Sequence, residues 1–165
     1  MALGGAEALA LAGMMGAGKS TVAGALARAL GRRALCTDAL VEARARKPIA
    51  RIFAEDGEPA FRRLEREVVA SIAGPVVVDL GGGAFCDAAS AERLLRVARV
   101  VFLDVSAAEA ARRIGRDGGS GVRPLAPTWP TLLARRLPLY RRAHLSVRVD
   151  GLSPEAVARR ILDRL

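Results

Sequence analysis

An apolar run, Ala8 to Ala12, leads directly into Gly13-Met14-Met15-Gly16-Ala17-Gly18-Lys19-Ser20-Thr21, and this junction constrains the fold more than any other part of the chain. GxxxxGKS between a buried strand and a helix is a phosphate-binding loop: the glycines let successive backbone N–H groups turn inward around a polyphosphate, and the helix adds its positive N-terminal end. In that frame Lys19 reaches the β- and γ-phosphates of ATP and the Ser20 hydroxyl ligates Mg²⁺. Gly13, Gly16, Ala17, Gly18 and Thr21 complete the cradle. A glycine-rich turn with an incidental lysine would not also carry the serine and the flanking periodicity.

The length of 165 residues suits one domain with its own core. Only Cys36 and Cys86 occur, without metal-ligand spacing or a CxxC pair, so a reducing, cytoplasmic setting is expected. No Lys or Arg precedes Lys19, and Glu7 interrupts the early apolar stretch, so neither a signal peptide nor a membrane span is expected. The net charge of +9 comes almost wholly from arginine. Arginine pairs well with nucleic-acid phosphates, but Phe53, Phe61, Phe85, Phe102, Trp129 and Tyr140 are scattered and form no base-stacking cluster. A basic surface around a site for an anionic substrate is the favoured reading, with no nucleic-acid partner.

Strand-like and helix-like segments alternate along the chain, which implies an α/β fold with a parallel sheet covered on both faces. Thr21 to Leu30 places Val22, Leu26, Ala29 and Leu30 on one helical face and stops at Gly31. Strands are expected at Ala34 to Cys36, Val76 to Leu80, Val100 to Val105 and Leu145 to Val149. Asp38 to Ala73 reads as helix in pieces, broken at Pro48, Gly57 and Pro59. Ser106 caps a helix running through Arg113, and Ser153-Pro154-Glu155 opens a terminal helix. Gly115 to Pro130, rich in Gly and Pro, reads as a mobile loop.

Ligands of open parallel sheets bind at the carboxyl ends of the strands, where Cys36-Thr37-Asp38, Asp79 and Gly81-Gly82-Gly83 all fall. Asp38 suits accepting a proton from a substrate hydroxyl, and equally suits capping a helix over Ala39 to Arg46. The three glycines let a ligand approach the backbone. Arg62 and Glu65 lie about one turn apart, so that Glu65 either fixes the Arg62 fork or shares a solvated helix face with it.

Taken together, these residues resemble shikimate kinase over nearly the full length. The resemblance is carried by GxxxxGKST, the Asp after the second strand, Ile52-Phe53 followed by Asp56-Gly57-Glu58, and Phe61-Arg62-Arg63-Leu64-Glu65. It continues through the triple glycine, Val122-Arg123-Pro124-Leu125 and Arg136-Leu137-Pro138-Leu139-Tyr140. It implies a P-loop kinase fold with a five-stranded parallel sheet in a single domain, residues 1–165, holding a substrate-binding segment at about 38–73 and a lid at about 116–130. The implied reaction moves the γ-phosphoryl group of MgATP to a hydroxyl of shikimate, giving shikimate 3-phosphate and ADP. Asp38 would polarise that hydroxyl, Arg62 and Arg136 would clamp the carboxylate, and Gly81, Gly82 and Gly83 would lie against the ring. Arg123 would swing over the ATP phosphates, Arg113 would stack on adenine, and Pro154 would lie in the other adenine-contacting loop. A monomer is expected.

The chain departs from the family pattern where a DxD pair normally ends the second strand. Cys36 replaces the first acid, and a neutral thiol is a poor ligand for a hard cation. Asp79, where many phosphate-loop proteins carry the Walker B acid, is expected to take over Mg²⁺ binding through water; the alternative is an ordinary polar strand end. Arg116 to Gly121 lengthens the approach to Arg123, and Pro48 stands where a small hydroxyl residue is usual. Trp129 is expected in or beside the lid, with fluorescence that responds to nucleotide. His144, near the end of a helix expected before the last strand, receives no role, and Cys86 is read as loop packing. The rival readings are another P-loop kinase acting on a carboxylated polyol and a non-catalytic nucleotide-binding regulator.

Overall fold

β1 (Ala8–Ala12) is apolar along its whole length because both of its faces are covered, and Leu9 and Leu11 are completely buried. The fold comes from a computed structural model that describes residues 7–116 and 128–165; Arg123 and most of the expected lid lie outside the described residues. β1 pairs in parallel with β3 (Val76–Asp79) and β4 (Ala98–Asp104). The outer strands β2 (Arg33–Cys36) and β5 (Leu145–Arg148) pair with β3 and β4, giving the order β2-β3-β1-β4-β5. The chain builds one side of β1 and then crosses to the other, so the crevice opens where β1 ends.

α1 (Lys19–Leu30) starts at that crevice and stops at Gly31, whose φ of 62° ends the helix in the left-handed conformation. The segment after β2 is helical in pieces: α2 (Thr37–Ala45), the single turn α3 (Ile49–Arg51), a π-helical turn over Ile52–Asp56, and α4 (Glu58–Ala70). Pro48 caps α3, as a helix start allows. Val41, Ile52, Phe61 and Val68 form a small core of their own in this segment, apart from the large core around the sheet.

Two helices differ from the sequence reading. α5 (Ala88–Val97) occupies a stretch left unassigned; Asp87 caps it by accepting from Ser90 N at 3.0 Å, and Ala91 and Leu94 are its buried apolar positions. α6 (Ala107–Arg116), begun at Ser106 as expected, continues past Arg113 because Ile114 still packs on the core. The expected loop is therefore shorter at its start. At its other end Trp129 and Pro130 open α7 (Trp129–Tyr140), since proline fits a first turn whose N–H groups have no helical partner. α8 (Pro154–Leu162) is capped by Ser153 Oγ, which accepts from Ala156 N at 3.2 Å.

His144 acquires a structural task. β5 begins opposite Val101, one residue too late to pair with Val100, and His144 Nδ1 accepts the Val100 N–H at 3.0 Å. Partial burial of the ring, then the nearby Arg99 charge, lower its pKa below 6.5. Because the folded chain resists protonating this ring, the stability it confers is complete above the unfolded value. That stability is lost as pH falls from about 6.5 towards the lower folded value. Urea denaturation between pH 7.5 and pH 5 is expected to show this loss. His144→Asn, whose Oδ1 also accepts but does not titrate, should lose less over that range, and His144→Ala should be weaker by about 1 kcal/mol already at pH 7.5. Parallel pH curves for the parent and His144→Asn would contradict the assignment.

Candidate active site

The turn out of β1 is held by its own backbone and by Lys19. Gly18 takes φ 84° at the N-cap of α1, a conformation a side chain would strain. Lys19 Nζ donates to the carbonyls of Gly13 at 2.8 Å and Met14 at 3.1 Å, and Thr21 Oγ1 donates to Gly18 O at 3.0 Å. Gly16, Gly18, Lys19, Ser20 and Thr21 line the cleft, whereas Gly13 and Ala17 build the wall behind it. Ser20 Oγ donates to Asp79 Oδ2 at 2.5 Å, which ties the start of α1 to the end of β3.

Arg113 is fixed by all three guanidinium nitrogens. Nε donates to Glu109 at 2.7 Å, Nη1 to Ala17 O at 3.1 Å and Nη2 to Val149 O at 3.0 Å. Glu109 also holds Arg112, and hydrogen bonds from Arg112 and then Arg113 bring its carboxyl down to about 2. Pro154, at the first turn of α8, faces the same end of the cleft.

On the other side the three glycines have a physical reason beyond a bound ligand. A Cβ on Gly81 would collide with the Asp38 carboxylate, one on Gly83 with the Arg62 guanidinium, and one on Gly82 would lie 3.2 Å from Arg136 Nη1. Each glycine thus leaves room for one of the charged side chains named from sequence. Asp38 lies within the first turn of α2 rather than at its N-cap, which is Cys36. Arg62 Nη1 donates to Glu65 Oε1 at 2.8 Å with Glu65 only 1% exposed, so this pair is not a solvated helix face. Burial pushes the Glu65 carboxyl above its ordinary value, against the pull of Arg62. Arg136 is buried on α7.

Lys19, Ser20, Asp38, Arg62, Asp79, Arg113 and Arg136 line one cleft of about 1220 Å³ that runs from the phosphate loop to the triple glycine. Cys36 and Asp79 stand side by side as register partners of β2 and β3. Burial pushes the Cys36 thiol up, so it is neutral at pH 7. Cys86 is also a free thiol raised by burial, packed against the large core as expected.

Three hydrogen bonds at the site go beyond the sequence expectations. Thr37 Oγ1 accepts the Gly81 N–H at 2.8 Å, Trp129 Nε1 donates to Met15 O at 3.0 Å, and Tyr140 Oη donates to Gly82 O at 2.5 Å. Thr37 lies between two residues already singled out and offered no pattern of its own. The other two share a helical spacing with Arg136, which was the available signal.

The family model for shikimate kinase matches residues 15–165. A shikimate kinase of Mycobacterium avium (strain 104) is 47% identical, the alignment covering 94% of this chain and 91% of that one. Among solved structures, shikimate kinase from Acinetobacter baumannii in complex with shikimate superposes with a TM-score of 0.86 at 32% identity, covering 96% of this chain and 92% of that one. Shikimate kinase from Bacteroides thetaiotaomicron gives a TM-score of 0.84 at 31% identity, covering 96% and 98%. With Lys19, Asp38, Arg62 and Arg136 of its motifs lining one cleft, the chain belongs to the shikimate kinase family and is an ATP-dependent kinase.

Proposed function

We propose that the cleft transfers the γ-phosphoryl group of ATP to a hydroxyl of shikimate, giving shikimate 3-phosphate and ADP. The observation that carries this assignment is the convergence of Asp38, Arg136 and Arg62 on Gly81, Gly82 and Gly83, within the cleft the phosphate loop enters. Arg62 and Arg136 clamp the acceptor's carboxylate, with Glu65 holding the Arg62 fork, and the segment at 38–73 forms that side of the pocket. Asp38 takes the proton of the attacking hydroxyl as its oxygen bonds to the γ-phosphorus and the bond to the β,γ-bridging oxygen breaks. Lys19 turns from the loop carbonyls to the phosphates, and Arg113 and Pro154 bracket the adenine. Arg123 and the lid at about 116–130, mostly outside the described residues, cover the phosphates and exclude water.

The donor set next to Ser20 fits Mg²⁺. A hydroxyl and a carboxylate are hard oxygen donors, whereas the neighbouring thiol is soft. Ser20, with Asp79 behind it, would hold Mg²⁺ together with the nucleotide. When bound, the ion neutralises charge on the β- and γ-phosphates. We further read the chain as a cytoplasmic monomer that engages neither membrane nor nucleic acid; no described helix is long and apolar enough to cross a bilayer.

Release of ADP from MgATP is expected to require shikimate and to fall by about 10²- to 10⁴-fold in Asp38→Asn, with shikimate affinity largely kept. ADP release indifferent to shikimate would sink the assignment. For the metal, Asp79→Asn should weaken ADP binding by about tenfold in Mg²⁺ and leave it unchanged in EDTA, and adding Cys36→Asp should restore much of the loss. Equal weakening in both buffers would show that Asp79 does not act through the ion.

A further inference from the structure

α7 buries only Trp129, Arg136 and Tyr140 among its described side chains. These residues are separated by about two and about three helical turns from Trp129, so they form one stripe along the helix. Arg136 faces Gly82, and the two aromatic residues flank it with one hydrogen bond each to a loop of the cleft. Trp129 Nε1 donates to the carbonyl of Met15 in the phosphate loop at 3.0 Å. Tyr140 Oη donates to the carbonyl of Gly82 at 2.5 Å.

Both acceptors are carbonyls of peptide units that lead into a glycine. In a trans peptide the C=O of one residue and the N–H of the next point in opposite directions, and no described peptide is cis. A donor that holds the Met15 carbonyl toward α7 therefore turns the Gly16 N–H away from α7. The bond to Gly82 O does the same to the Gly83 N–H. Glycine-flanked peptides are the ones that flip most readily, because glycine accepts either sign of φ. Without these two donors each peptide has two competing orientations, only one of which presents its N–H to a ligand.

We propose that α7 is a positioning strap for both halves of the cleft: Trp129 sets the Met15–Gly16 peptide for the phosphate donor, and Tyr140 sets the Gly82–Gly83 peptide for the acceptor. Neither residue is a catalytic residue. They act through the backbone groups they orient, while Arg136 between them reaches the acceptor directly. The stripe also explains why a buried tryptophan and a buried tyrosine stand here instead of aliphatic residues: each supplies a ring for packing and a single donor at its tip. Tyr140 is braced against Phe102 of β4, with ring centroids 5.0 Å apart and planes at 14°, so its hydroxyl is aimed by a fixed ring. Its oxygen also lies 3.8 Å from Met14 Sδ and interacts with the Arg136 guanidinium and the Cys86 thiol, contacts that accompany the short bond to Gly82.

The inference rests on the reading of the cleft as a site for a nucleotide and shikimate. Its test uses the whole chain in two variants, Tyr140→Phe, which removes only the hydroxyl, and Trp129→Phe, which keeps an aromatic ring but loses the donor together with the indole's second ring, with calorimetric titration of MgADP and of shikimate. Trp129→Phe is expected to weaken MgADP by about tenfold while shikimate affinity stays within twofold. Tyr140→Phe should show the reverse selectivity. Unchanged affinities in both variants would overturn the proposal. So would equal weakening of both ligands by either variant, which is what a merely structural role produces. Circular dichroism and the melting temperature check that each variant is folded; should Tyr140→Phe fail to fold, the selectivity of Trp129→Phe alone decides. If the parent chain does not bind shikimate, the reading of the acceptor fails separately, and the MgADP titration of Trp129→Phe still tests the strap.

Discussion

Charged side chains occupy the space that the side chains of Gly81 and Gly83 would fill, and the rest of the acceptor half is arranged to make that close approach tolerable. Bringing Asp38, Arg62, Glu65 and Arg136 so near one backbone segment removes water from several charges at once, which is unfavourable unless each gains a compensating partner. Arg62 receives Glu65, and the backbone receives Thr37 and Tyr140. α4 supplies the ion pair, α7 the buried guanidinium, and the start of α2 the carboxylate, so three helices from distant parts of the chain must be docked before the network is complete. Replacing any of the three glycines would disturb charge placement before it disturbed the backbone.

What could be read from sequence divides by how local its cause is. β1, the turn into α1, the stop at Gly31 and the cap at Ser153 each depend on a few adjacent residues, and they stand where the sequence put them. α5 was legible in principle, since Asp87 before an apolar period is a start signal, but its short polar run between two strands drew no notice. A helix before the last strand is expected from sequence, but Pro130 and Pro138 hide the extent of α7: the first belongs to a helix start, and the second is an interior break that packing overrides. Asp38 is not the helix cap because the helix begins two residues earlier than a cap at that position implies, at Thr37 after Cys36. The named charged residues were recoverable from motif order, whereas Thr37 with Gly81, or Trp129 with Met15, are pairings of distant segments that no local pattern encodes.

The exchange of an acid at the metal side is intelligible through strand register. Paired residues on adjacent parallel strands point to the same face and lie about 5 Å apart. Cys36 and Asp79 are such a pair, so on the proposed metal role a carboxylate absent from the end of β2 would be supplied from the end of β3 with little change in the local charge. The two positions are nevertheless not equivalent. From β3 the carboxylate accepts directly from the Ser20 hydroxyl, which ties the end of that strand to the start of α1.

The acids that line the cleft have different tasks. Glu42 accepts the Ile49 N–H and shapes the entry to α3, while Glu65 and Glu109 hold arginines in fixed orientations. An arginine already oriented by a carboxylate loses less conformational freedom when an anion arrives, which favours binding through preorganisation rather than through added charge. Two further acids line the cleft, Asp38 after β2 and Asp79 at the end of β3. Each adjoins a different partner, Gly81 for one and Ser20 for the other. Under the function proposed above, proton handling and metal holding fall to separate carboxylates. In a site where a second acid at position 36 would crowd both, the cysteine leaves Asp38 with one fewer like charge beside it.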